Sequence, residues 1–99
     1  MEKNAIINLI YSVIENVNLS LSDEKKIPTS YDTKLYGAAG QLDSLGMVNF
    51  IVALENKIEK DFGCSIKLLN EKTLLQKNSP FETVDSLSEY IEHQLDDRE

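Results

Sequence analysis

Ile6, Leu9, Ile10, Val13 and Val17 recur at spacings of three and four, and Ile7 and Ile14 widen the stripe they form. That spacing predicts an amphipathic helix from Ala5 to Val17, with Asn4 as its N-cap. The periodicity stops at Asn18, and residues 18–43 form a polar connection that contains Pro28 and is long for a compact domain. Leu19, Leu21, Ile27, Tyr31, Leu35 and Tyr36 are expected to tuck parts of it against the core. A second helix is predicted from Ser44 to Phe62, ending at Gly63, whose tolerance of left-handed backbone suits a helix stop. Residues 64–82 read as irregular, with one short turn around Glu71–Leu75 and a break at Asn78-Ser79-Pro80. Val84, Leu87, Ile91 and Leu95, together with Tyr90, mark a last helix with Thr83 as N-cap. No stretch alternates with period two for long enough to build a sheet. The pattern predicts an all-α fold: a four-helix bundle of three main helices and one short one, with a long loop between the first two.

The second helix carries two apolar lines. At about 100° per residue, Met47, Phe50, Ile51, Leu54 and Ile58 share one side and form the core face. Each such side chain, fully buried, stabilises the fold by about 1.5–3 kcal/mol. Leu45, Val48 and Val52 lie on a separate line, flanked by Asn49, Glu55, Asn56 and Glu59. Packing on the loop or on the last helix would explain that line, and so would a docking stripe for partner proteins. Its start beside Ser44 favours docking. Asp43 or Ser44 can cap the helix. A serine at a helix start after a long loop should also offer an accessible hydroxyl, at a place that favours an attached anionic group.

Composition narrows the class. The 99 residues carry 17 acids against 10 bases, a net charge of −7, which argues against a nucleic-acid binder. The acidity is local, because residues 82–99 hold seven acids and one base, Arg98. Length and a hydrophobic share of 41% fit a single domain, residues 1–99, with a core over about 3–95 and an acidic tail at 96–99. The lone Cys64 allows no internal disulfide and no cysteine-based metal cluster. It reads as a small buried filler. No apolar run reaches signal-peptide or membrane-spanning length, so a cytoplasmic setting without membrane insertion is expected.

The run Gly40-Gln41-Leu42-Asp43-Ser44-Leu45-Gly46-Met47-Val48-Asn49-Phe50-Ile51-Val52-Ala53-Leu54-Glu55 resembles the modification motif of acyl carrier proteins. A second run, Phe81-Glu82-Thr83-Val84-Asp85-Ser86-Leu87-Ser88-Glu89-Tyr90-Ile91, resembles that family's closing Phe-x-Thr-Val-x-x-Leu-x-x-Tyr-Ile segment. With the leading helix, the resemblance covers roughly residues 3–95. It implies a four-helix carrier, monomeric and not itself an enzyme. It implies that Ser44 bears 4′-phosphopantetheine, installed from coenzyme A by a phosphopantetheinyl transferase that supplies base and magnesium. An acyl or aminoacyl group would ride on the arm as a thioester, loaded by a ligase or acyltransferase and passed to downstream synthases or transferases. Asp43 would assist recognition, and Leu45, Val48, Val52, Glu55 and Glu59 would contact partners. Where the fatty-acid carriers place acids two, five and twelve positions after the serine, this chain has Gly46, Asn49 and Asn56. Its pattern is closer to specialised stand-alone carriers, including the D-alanyl carrier type.

Other chemistries fit less well. A hydrolase elbow needs Gly-x-Ser-x-Gly after a strand and a histidine partner. Leu42 occupies the first glycine position, and the only histidine, His93, belongs to the last helix. The Gly37-Ala38-Ala39-Gly40 stretch has no Walker lysine and reads as a pliable lead into the second helix. An unmodified helical interaction module that keeps the carrier fold is the alternative from another class.

Overall fold

A computed structural model describes residues 3–36, 40, 42–63, 65–68 and 79–96. Among the described residues three helices carry the fold: α1 (Lys3–Asn18), α2 (Ser44–Phe62) and α3 (Val84–Asp96). A 3-10 turn, Asp23–Lys25, interrupts the first connection. Among the described residues there are no strands, only two isolated bridges, Lys34 with Thr83 and Tyr36 with Leu42. The expected short helix at Glu71–Leu75, the expected filler Cys64 and most of the Gly37–Gly40 stretch lie outside the described residues.

The helix faces follow the spacing. Ile6, Leu9, Ile10, Val13 and Ile14 of α1 are buried, as are Met47, Phe50, Ile51, Leu54 and Ile58 of α2. Val84, Leu87, Ile91 and Leu95 complete the same cluster from α3. α1 packs against both of the other helices. Phe81, just before α3, is fully buried and meets Tyr90 edge-to-face, with ring centroids 5.6 Å apart. The radius of gyration, 12.6 Å, matches the ~13 Å of about 100 residues packed round one core.

The helix ends show local chemistry at work. Gly63 takes φ 69° and its N–H donates to the Glu59 carbonyl at 3.0 Å, a left-handed stop. Thr83 caps α3: its hydroxyl oxygen accepts the Ser86 N–H at 3.0 Å, and the Thr83 N–H donates to the Ser86 hydroxyl at 3.2 Å. This is a capping box with serine in place of the longer Glu or Gln. Asn4, in contrast, lies inside α1 rather than capping it, because the helix extends back at least to Lys3. Lys3 bridges to Asp85 at 2.8 Å and to Glu89 at 3.4 Å, joining the start of α1 to α3. The Asp85 hydrogen bond, more than the Glu89 one, raises the Lys3 ammonium's pKa above its ordinary value.

The connection between α1 and α2 is held by backbone bonds. The Leu35 and Tyr36 amides donate to the Glu82 carbonyl, and the Val84 and Asp85 amides donate to the carbonyls of Thr33 and Tyr31. Ile27 and Leu35 reach the core as the sequence predicts, whereas Leu19 and Tyr31 are exposed. Leu19 sits in the loop that the Asn18 side chain closes. The Asn18 amide group donates to the Ile27 carbonyl at 2.9 Å and its oxygen accepts the Ile27 N–H at 2.8 Å. That clamp pins Ile27 and closes residues 19–26 into a loop in which Leu19 is exposed and Leu21 half-buried. Asn18→Ala should leave both Ile27 groups without these partners and lower stability by about 1–3 kcal/mol in urea unfolding.

Candidate functional site

α2 begins where the chain closes back on itself. The Leu42 N–H donates to the Leu35 carbonyl at 2.8 Å. A Cβ at Gly40 would come within 2.6 Å of the Tyr36 backbone, so this close return needs glycine. Asp43, directly after Leu42, sets the helix start. Asp43 is extended, with φ −83° and ψ −176°, and its Oδ1 accepts the Gly46 N–H at 2.7 Å. Its carbonyl accepts the Met47 N–H at 2.8 Å, the first bond of the helix. Of the two capping candidates, Asp43 is therefore the cap, and Ser44 becomes the first helical residue.

That arrangement leaves the Ser44 and Leu45 amides in the first turn with no acceptor inside the helix, at the positive end of its dipole. Of Ser44 itself the structure describes the backbone. The exposed Asp43 carboxylate already answers part of the positive potential. Asp43→Ala should cost about 1 kcal/mol of stability through loss of the cap, read as a lowered urea midpoint with an unchanged slope.

The second apolar line divides. Leu45, in the first turn of α2, is 70% exposed, and Val52, at mid-helix, is 42% exposed. Val48, between them, is half-buried and packs against the core. Glu55 and Glu59 continue the same line down the helix, but they differ. Glu59 is exposed. Glu55 is half-buried, and its Oε2 accepts the Leu68 N–H at 2.6 Å, which seats the fully buried Leu68 against α2. Glu55 thus holds the 65–68 segment in place, an internal task that the helix pattern did not indicate. Glu55→Ala should destabilise the fold by about 1.5–3 kcal/mol, since the bond has a charged acceptor and a buried neighbourhood.

Gly46 acquires a reason that spacing alone did not supply. A Cβ there would sit 3.1 Å from Asp43 Oδ1 and 3.3 Å from Leu42 Cδ2, crowding the cap. A carboxylate side chain at this position would also face the Asp43 carboxylate. His93 lies exposed on α3, and among the described residues no group of three or more His, Cys, Asp or Glu could hold a metal ion. No helix of the described residues is long and apolar enough to cross a membrane.

Comparison with family models, with curated proteins and with solved structures gives no match.

Proposed function

We propose that the chain is a stand-alone carrier: Ser44 bears a 4′-phosphopantetheine arm, and an acyl or aminoacyl group travels on it between enzymes of a specialised biosynthetic pathway. The observation that carries this reading is the start of α2. Asp43 caps the helix, Ser44 follows as its first residue, and Leu45 beside it is exposed, with Val52 exposed further along the helix. Asp43, Ser44 and Leu45, which the resemblance to acyl carriers makes functional, thus stand at one end of one helix. The four-helix carrier fold, with its short helix around Glu71–Leu75 and its long first loop, belongs to the same proposal.

The residues suit the group. A phosphodiester on Ser44 would lie at the end of α2 where backbone N–H groups outnumber acceptors. When bound, the arm supplies a terminal thiol that holds the cargo as a thioester. During attachment the Ser44 hydroxyl oxygen bonds to the phosphorus of coenzyme A's arm. The bond from that phosphorus to the bridging oxygen breaks, the nucleotide half leaves, and the hydroxyl proton passes to the transferase. Ser44 needs no activating base of its own. Leu45, with Val52 and the outer edge of Val48, offers a partner an apolar handle, and Glu59 adds a charge at its rim. The chain presents and the partners catalyse.

Isolated from its own cells, a fraction of the protein should be heavier than its sequence by the arm and a cargo. Hydroxylamine, which cleaves thioesters, should remove the cargo as a hydroxamate and leave the arm. A native protein with no mass beyond its sequence contradicts the reading.

A further inference from the structure

A groove of about 560 Å³ lies between the N-terminal half of α1, the chain around Tyr31 and the start of α3. Its size falls within the ~300–1,000 Å³ of small-molecule sites. None of its described lining comes from α2, so it stands apart from Ser44. At helical spacing Lys3, Asn4, Ile7, Asn8 and Tyr11 share one face of α1. Ile7 and Tyr11 are half-buried against the core and make the floor. Asn4 and Asn8, one turn apart, are exposed along one bank. Tyr31 stands on the α3 side, and Lys3 and Asp85, joined at 2.8 Å, complete the lining.

Tyr31 is fixed in its place. It lies in a turn closed by the Thr33 N–H, which donates to the Ser30 carbonyl at 3.1 Å. The Tyr31 carbonyl accepts the Asp85 N–H at 2.7 Å, and the Thr33 hydroxyl donates to the Pro28 carbonyl at 2.8 Å. Yet the residue is 60% exposed, so this well-anchored ring serves the core little. An aromatic side chain on a backbone already ordered loses little freedom when a ligand covers it.

We infer that the groove binds an uncharged saccharide, at a site independent of the carrier reading. Apart from Ile7, every described lining side chain can hydrogen-bond. Each asparagine carboxamide offers both a donor and an acceptor, which is what a sugar hydroxyl requires. One face of a pyranose ring presents C–H groups, and these rest favourably on the electron-rich face of a tyrosine. A wholly apolar ligand would strip water from Asn4 and Asn8 and return no hydrogen bond. An anion finds no free cation here, because Lys3 already meets two carboxylates, Asp85 and Glu89.

The test uses the unmodified protein. Cellobiose and N,N′-diacetylchitobiose are titrated into isotope-labelled chain and followed by amide NMR. Sorbitol, which has hydroxyls but no ring, and a chondroitin-sulfate disaccharide, which has rings and anions, serve as comparisons. One or both neutral disaccharides should shift, saturably, the backbone amides of Ile7, Tyr31 and Asp85 and the side-chain amides of Asn4 and Asn8. The two comparison ligands should leave them in place. Tyr31→Ala should weaken binding at least about fivefold and melt within about 4 °C of the wild type. Tyr31→Phe, which keeps the ring, should retain the binding. Asn8→Ala, at an exposed position where alanine suits the helix, should weaken it as well. No saturable shift in the groove, equal shifts from a comparison ligand, or undiminished binding by Tyr31→Ala would overturn the inference. A chain that binds the disaccharide but gains no arm contradicts the carrier reading alone.

Discussion

Leu54→Asp should unfold the protein or leave it without a cooperative transition, whereas Leu45→Asp should unfold within about 4 °C of the wild type. The two leucines sit nine residues apart on α2, and the contrast follows from what surrounds each. Leu54 is fully buried in the cluster shared by all three helices. Replacing it removes a core side chain, worth about 2–5 kcal/mol, and leaves a carboxylate with no partner away from water. A domain with ~5–15 kcal/mol of total stability does not withstand both. Leu45 is 70% exposed in the first turn of α2, so its loss breaks little packing. An acidic residue near a helix N-terminus is favourable by about 0.3–1 kcal/mol, and surface changes of this kind stay within about ±0.5 kcal/mol. For a domain of this size 1 kcal/mol moves the melting temperature by about 4–8 °C, which sets the window.

The functional order should be the reverse of the structural one. On the carrier reading, Leu45→Asp places a charge in the centre of the surface that partners cover. The kcat/KM for arm installation should fall at least about tenfold, or ~1.4 kcal/mol, although the protein is folded. Val48 is a poorer probe of docking. It is half-buried against the core, so Val48→Asp should lose stability and partner transfer together. Equal melting temperatures for Leu45→Asp and Leu54→Asp would remove the distinction between a core face and an exposed line.

The same helix shows what a sequence can and cannot convey. α2 was legible from Ser44 to Gly63 because its signals are local: apolar spacing, two short side chains either of which can accept an early N–H, and a glycine free to turn left-handed; that Asp43 rather than Ser44 is the cap came from the structure. Thr83 was legible for the same reason. Asn4 was displaced into α1 because a polar residue before an apolar stripe does not fix how far back the helix extends. The connection from Leu19 to Asp43 was much less legible. Its shape depends on the Glu82, Thr33 and Tyr31 carbonyls, and a carbonyl is the same in every residue. Leu19 and Tyr31 were therefore expected inside, whereas both are exposed, Leu19 in the loop that the Asn18 clamp on Ile27 closes. Asn18 itself, directly after the last periodic residue, gave a signal only in its residue type.

At the candidate site the limits are different. A helical wheel gives the angle of a residue and not what stands opposite, so Leu45, Val48 and Val52 formed one line although Val48 packs inward. Glu55 was grouped with Glu59 by spacing, and no pattern could show that the Leu68 amide comes back to meet it. The serine at the head of α2 was found through the resemblance of the Leu42-Asp43-Ser44-Leu45-Gly46 context to carriers. The residues alone offered an exposed helix start and an apolar line beside it.

Covalent attachment of the arm at Ser44 is decided by intact-mass spectrometry. Wild-type protein and Ser44→Ala are incubated with coenzyme A, magnesium and a broad-specificity phosphopantetheinyl transferase. The wild type should gain the mass of one phosphopantetheine, fragmentation should locate it on Ser44, and Ser44→Ala, equally folded, should gain none. A wild type that gains nothing, or a Ser44→Ala protein that gains as much, would contradict the account.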